Sequence, residues 1–173
     1  MRIRRVLLNE PEPGAQSTHV QELAPRSDFP NGEAFDVWGW DSTPTLPSRS
    51  AIYEGMSLLP DAAPGVRVSI VRFPEGAPPA VDPELLAAMP PMPGMGHMKF
   101  HAHDVPGMHS SDTIDIGFVL AGQLETVALD GTRQVLGVGD VYVQNGAPHA
   151  WYAVPGEPVW VGFVFVAAPR TGA

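Results

Sequence analysis

The chain has 173 residues, 44% of them hydrophobic and 17% charged, with a formal net charge of −9 and no cysteine. Such a length and composition describe one globular domain with its own core, not a disordered chain. No block of lysines or arginines offers a track for a phosphate backbone, so nucleic acid is not an expected partner.

Without cysteine there are no disulfides and no thiolate chemistry, which points to a cytoplasmic protein. "MRIRRVLL" lacks the apolar stretch of a signal peptide. No segment approaches the roughly 20 apolar residues that cross a bilayer, so no membrane partner is expected.

Twenty prolines and eighteen glycines fall mostly between short apolar runs, a rhythm of short strands rather than long helices. The first strands are "IRRVLL" and "AFDVWGW", set among Pro-rich stretches, and then "VRVSIVRF" (66–73) with its apolar residues in alternation. "DPELLAAM" (82–89) is the one short helix, with Asp82 as N-cap and Pro83 at the first helical position.

From residue 98 the rhythm is all β: "MKFHAH", "TIDIGFVL", "QLETVAL", "TRQVL", "DVYVQ", "HAWYAV" and "VWVGFVFVA", separated by turn residues such as Asp130-Gly131. Strands at this spacing indicate a sandwich or a barrel. On "TIDIGFVL", Asp115 takes one face while Ile114, Ile116, Phe118 and Leu120 take the other. That apolar outer face needs cover, from the N-terminal strands or from a second subunit.

In "MHSSDTIDIGFVLAG" (108–122), His109, Ser111 and Asp115 share one parity, so an extended chain points all three the same way. A second histidine, His149, closes "GDVYVQNGAPH". Trp151 shares its parity, and Tyr142 and Gln144 share another on the preceding strand. Trp38 and Trp40 also share a parity and are candidates for the mouth of the pocket.

These two segments resemble the cupin family. Its first motif reads G-x5-H-x-H-x3–4-E-x6-G, and its second G-x5-P-x-G-x2-H-x3-N. His109, Ser111, Asp115 and Gly122 fall at the spacing of the first; Gly139, Gly146 and His149 fall on the second. Ser111 replaces the second histidine, Asp115 the glutamate, Asn145 the proline and Ala153 the closing asparagine, and no glycine stands five residues before His109.

The resemblance implies an all-β jelly-roll barrel, a double-stranded β-helix, with its core over 98–173. Residues 1–97 then form an N-terminal β extension and outer strands of the same domain. It also implies that His109, Asp115 and His149 are the site. They would serve either as two-histidine, one-carboxylate ligands of a divalent metal (Fe, Zn, Mn or Ni) or as acid–base groups without one.

"HAH" (101–103) fails the spacing of the first motif, so His101 and His103 read as a polar face beside the site, with one of them a substitute fourth ligand in the alternative. The substrate pocket is expected from Ser111, Trp151, Gln144, Tyr142, Trp38 and Trp40. With Met92, Met95, Met98 and Met108 nearby in sequence, it suits a small, fairly apolar molecule.

Proton-transfer chemistry (isomerisation, cyclisation, dehydration or decarboxylation) is the leading expectation. An Fe(II)-dependent dioxygenase and a non-catalytic ligand-binding barrel are the alternatives. A homodimer is expected on the apolar outer face.

Overall fold

Alternation decides where each strand faces. In Val66–Phe73, Arg67, Ser69 and Val71 are buried, and Val66, Val68 and Ile70 look the other way. In Thr113–Ala121 the buried set is Thr113, Asp115, Gly117 and Val119. The computed structural model describes residues 1–8, 18–29, 32–45, 56–76, 82, 84–85, 88, 95 and 97–171. Twelve strands are formed among them: β1 (Arg4–Leu8), β2 (Thr18–Glu22), β3 (Glu33–Trp40), β4 (Val66–Phe73), β5 (Lys99–Phe100), β6 (His109–Ser110), β7 (Thr113–Ala121), β8 (Leu124–Ala128), β9 (Arg133–Leu136), β10 (Val141–Asn145), β11 (His149–Ala153) and β12 (Val159–Ala167).

Two five-stranded sheets, ordered β10-β7-β12-β4-β3 and β5-β6-β11-β8-β9, face each other, and β1 and β2 form a separate hairpin. All the strand pairs are antiparallel. This is the jelly-roll arrangement of an all-β barrel. The barrel is not built from 98–173 alone. β4 lies beside β12 over eight paired positions and β3 extends the same sheet, so the N-terminal part supplies two of the five strands of one wall.

Between the sheets pack Val71, Val119, Val161, Phe163 and Phe165 from one wall and Leu124 and Ala153 from the other. Leu58, Leu59 and Met95 belong to the same cluster. Met98 packs against that cluster and Met108 is fully buried, so these methionines fill core gaps; Met92 lies outside the described residues.

Arg67, 1% exposed, donates to the carbonyls of Ser57, Trp40 and Val66 and to Asp41 Oδ1 at 2.5 Å. A buried guanidinium is tolerable only when its donors are met in this way, and here it ties two loops to β4.

Outside the first wall, Ile3, Phe35 and Trp160 form a second cluster with Leu23 and Ile70, so the β1–β2 hairpin covers that end of the sheet. The β7–β10 end stays open: Ile114, Phe118, Leu120, Val141 and Val143 are exposed.

At the helix position, Asp82 Oδ1 accepts the amides of Glu84 and Leu85 as an N-cap, and Ala88 N donates to Glu84 O. The rest of 82–89 lies outside the described residues. The strand β2 was not expected; all five of its residues are exposed, so no burial pattern marks it.

Candidate active site

β6 and β11 are neighbours, and His109 pairs directly with His149 across them. Cross-strand partners share a face, so both rings enter the barrel, with centroids 4.4 Å apart. Phe100 pairs with His109 on the other side and flanks it at 6.0 Å.

Trp151, two residues after His149, packs 4.3 Å from the His149 ring and 5.5 Å from that of His109. It also reaches Tyr142 at 5.7 Å and Phe163 at 5.1 Å, so the expected aromatic wall is assembled around it.

On the facing wall, Asp115 pairs with Gln144 on one side and Phe165 on the other. Asp115 is 2% exposed. Its Oδ1 accepts from Thr113 Oγ1 at 2.5 Å, and Thr113 Oγ1 lies 2.7 Å from Ser111 Oγ. Ser111, Thr113 and Asp115 thus form a hydrogen-bonded line along one strand face.

Tyr142 lies over Gly117, its cross-strand partner, where an added Cβ would come within 2.2 Å of Cε1. Gln144 crosses from β10 to the histidines: its Nε2 donates to Ala147 O and lies 2.7 Å from His149 Nδ1.

Among the described residues, four buried side-chain polar atoms have no hydrogen-bond partner: Arg5 Nε, Tyr142 OH, Gln144 Oε1 and His149 Nε2. Three of the four face the barrel interior. An unpartnered buried polar atom is costly, so these three are open to hydrogen bonds from water or a bound molecule.

Burial sets the protonation states. It pushes His149 down to about 3, with His109 beside it adding to the effect and the Ala147 carbonyl opposing. Burial also lowers His109, against the Gly107 carbonyl. Asp115 moves the other way, up to about 6 by burial, with the Thr113 hydrogen bond opposing. Tyr142 is held well above the usual phenol range by burial and then by Asp115. Asp115 therefore raises neither histidine. The carboxyl is on the other wall, and desolvation governs each group separately.

The geometry also separates Asp115 from the proposed ligand set. Among the described residues no three His, Asp or Glu side chains converge closely enough to hold a metal ion.

His101 and His103 do not complete such a set. His101 Nε2 lies 2.8 Å from Ser110 Oγ, and His103 Nδ1 accepts the Val105 amide at 3.0 Å.

Trp38 and Trp40 are not at the pocket. They pair with Val68 and Val66, whose side chains point away from the barrel, and their rings pack on each other at 4.8 Å.

Thr113, Phe100 and the carbonyls of Gly107 and Ala147 belong to the site but were not singled out. Thr113 shares the parity of His109, Ser111 and Asp115 and could have been found by it. Arg170 was also missed. It reaches Asp112 Oδ1 at 2.6 Å, Ser111 O at 3.0 Å and Gly146 O at 2.6 Å, tying together the loops that carry the two motifs.

A separate cleft of about 310 Å³ lies elsewhere, lined by Pro106, Glu125, Arg133, Val135 and Tyr152. Its chemistry is an ion pair, Glu125–Arg133 at 2.7 Å.

No family model matches the chain. The phomopsin biosynthesis cluster protein D of Diaporthe leptostromiformis is 39% identical over 59 residues, 34% of this chain and 31% of that protein. The cupin-domain-containing oxidoreductase virC of Hypocrea virens is 28% identical over 70 residues, 37% of this chain and 36% of that one. Each match therefore spans only about a third of the curated relative's length. Among solved structures, a cupin 2 conserved barrel domain protein of Salinispora arenicola superposes with a TM-score of 0.45 at 17% identity, over 83% of this chain and 81% of that one. Among the described residues no helix is long and apolar enough to cross a membrane.

Proposed function

We propose that this chain, a cupin-superfamily protein in fold and motif spacing, is a small-molecule enzyme that moves protons on a largely apolar substrate held between the two sheets. The observation that carries this reading is the facing of two unlike acid–base elements. One wall offers two neutral imidazoles, rings 4.4 Å apart. The other offers a buried carboxyl whose pKa of about 6 lets it give or take a proton near neutrality.

Trp151, Tyr142, Phe163 and Phe100 close the space around them. A planar, weakly polar molecule suits such walls. The Asp115 carboxyl takes a proton from one position of the substrate and returns it at another, while the neutral imidazoles on the facing wall hydrogen-bond the substrate's polar group. That exchange serves an isomerase, cyclase, dehydratase or decarboxylase. Homodimerisation and a cytoplasmic location accompany this reading.

The test is deuterium incorporation. The protein is incubated in D₂O with a panel of enolisable ketones and phenols, and each probe's mass is read. Exchange catalysed by the wild type and abolished in D115N and H149A is expected; exchange that persists unchanged in both variants overturns the proposal.

A second reading, Fe(II)-dependent oxygenation, rests on the closeness of the two imidazoles and on the oxidoreductase name of one relative. It requires further ligands beyond the two histidines. Equilibrium dialysis against Fe(II) under anaerobic conditions tests it, with stoichiometric, H149A-sensitive binding as its mark.

A further inference from the structure

We infer that Tyr142 is a further catalytic residue: its hydroxyl holds a carbonyl oxygen of the substrate, beside the Asp115 carboxyl that exchanges the proton of the adjacent carbon. For the reaction this rests on the proton-transfer reading above; the hydrogen bond itself is tested by binding alone.

The sheet decides where the ring goes. Tyr142 pairs with Gly117 and Gln144 with Asp115, so Tyr142 and Asp115 are diagonal neighbours on the inner face of one wall. Because residue 117 has no side chain, the Tyr142 ring crosses over β7 instead of standing clear of it. A Cβ at Gly117 would run into Cε1 and Cζ of the ring and lie 2.8 Å from its hydroxyl oxygen. The hydroxyl therefore sits over the strand that carries Asp115, two residues or roughly 7 Å along it.

That hydroxyl is buried, and it has no hydrogen-bond partner among the described residues. The rings beside it, Trp151 at 5.7 Å and Phe163 at 6.2 Å, offer no oxygen to accept its hydrogen. Burial, and after it the charge of Asp115, keeps the phenol protonated, so it remains a donor. The carboxyl is near enough to act on the phenol, yet no hydrogen bond joins the two. Thr113 already donates to Asp115 Oδ1, which leaves Oδ2 for chemistry. An idle donor and a half-used carboxyl, close but unjoined, frame a place for one ligand group. A carbonyl with its neighbouring C–H fits there, oxygen toward Tyr142 and hydrogen toward Asp115.

In the step this arrangement serves, the C–H bond beside the carbonyl breaks and its proton passes to the Asp115 carboxylate. The electron pair becomes a C=C bond, and the C=O π pair moves onto oxygen. There the Tyr142 hydrogen bond strengthens without the phenol giving up its proton. Return of the proton from Asp115 to carbon reverses the flow. The imidazoles take another polar group on the facing wall. The substrate class is therefore a planar ketone with a second polar group, such as a phenolic hydroxyl, at its far end.

The probe is 4-hydroxyacetophenone, and its carbonyl-free match is 4-ethylphenol. Each is titrated by calorimetry into wild type and Y142F at pH 7. The ketone is expected to bind Y142F about tenfold more weakly than wild type, the loss of one hydrogen bond. The match should bind both proteins alike, and Y142F should unfold at or above the wild-type urea midpoint. A wild type that does not bind the ketone, or an equal effect on both probes (none included), overturns the inference. A Y142F that fails to fold makes the hydroxyl structural and overturns it too. Deuterium uptake into the ketone's methyl group reads the base separately: present in wild type, slower in Y142F at saturating ketone and absent in D115N. A binding contrast without uptake in wild type would overturn the proton-transfer reading and leave the Tyr142 hydrogen bond established.

Discussion

His109 and His149 are anchored alike: each ring places Nδ1 within 2.9 Å of the carbonyl two residues upstream, Gly107 for one and Ala147 for the other. Two strands thus deliver the same local turn to opposite sides of one ladder, and the rings meet at 4.4 Å. Burial in a dry interior is the chief reason both rings are held neutral, with His109 adding to the effect at His149. Gln144, the added contact at His149 alone, breaks this symmetry.

The opposed pKa shifts predict a masked pH dependence. Asp115 has a folded value of about 6, above its ordinary 3.8. Between about pH 4 and 6 the unfolded chain has lost this proton and the folded chain keeps it, so stability falls as pH rises. The total is at most about 3 kcal/mol. His149 is held at about 3, below its ordinary 6.5. Over the same window the unfolded chain carries a proton there and the folded chain does not, so stability rises with pH. The two slopes offset in the wild type. Urea denaturation at pH 4.5 and 6.0 is expected to show stability increasing more steeply with pH in D115N than in wild type. In H149Q it is expected to shift toward decreasing with pH. Parallel slopes in all three proteins would remove both shifts from consideration.

Tyr142 predicts a second outcome. It occupies the space that a side chain at Gly117 would need, with 2.2 Å from the added Cβ to Cε1. The ring therefore depends on the glycine. G117A is expected to displace it and to cost about 1–3 kcal/mol, as overpacking does. G117A/Y142V should recover part of that loss, a coupling that a double-mutant cycle by chemical denaturation measures. Additive effects would mean that the ring yields freely.

Much of this fold was legible because β-strands carry their burial in alternation. "VRVSIVRF" and "VWVGFVFVA" match β4 and β12 to the residue, and parity alone turned Asp115 inward. Three things were hidden for physical reasons. The strand β2 has no buried residue, so nothing in "THVQE" distinguishes it from a loop. A β-bulge between Asp36 and Trp38 shifts the register by one, so Trp38 pairs with outward Val68 rather than inward Arg67, and Trp40 follows it outward. Motif spacing also brought Asp115 near the histidines along the chain. Sheet order then placed β7 in one wall and β6 and β11 in the other, which no local pattern records.

Arg170 predicts how the mouth is held. Its guanidinium spans Asp112, Ser111 and Gly146, one end of each motif loop, from a position 45% exposed. Solvent screens such a pair, so R170A is expected to change global stability by no more than about 1 kcal/mol. Local opening should respond more strongly. Amide hydrogen exchange is expected to quicken in 109–113 and 145–149 and nowhere else. R170K should restore little, because one ammonium cannot reach three acceptors placed for a planar fork. Unchanged exchange in R170A would show that the loops hold themselves.

The uncovered end of the outer wall carries the last prediction. Register aligns Val141 with Phe118 and Val143 with Ile116 across β10 and β7, and Gly162 and Val164 continue those rows on β12. Phe118 is 41%, Val141 52% and Val143 58% exposed, whereas the other end of the wall lies beneath the β1–β2 hairpin. A continuous apolar sheet face of this kind is costly to leave in water. A second copy related by a two-fold axis would cover it with the same residues, since a self-complementary patch needs no other partner. Sedimentation equilibrium is expected to give twice the 18.5 kDa chain mass. In F118E the charge enters such an interface twice, so the variant is expected to be monomeric with its circular dichroism spectrum unchanged. A wild-type monomer at the highest soluble concentration, or a dimeric F118E, would assign this face another role.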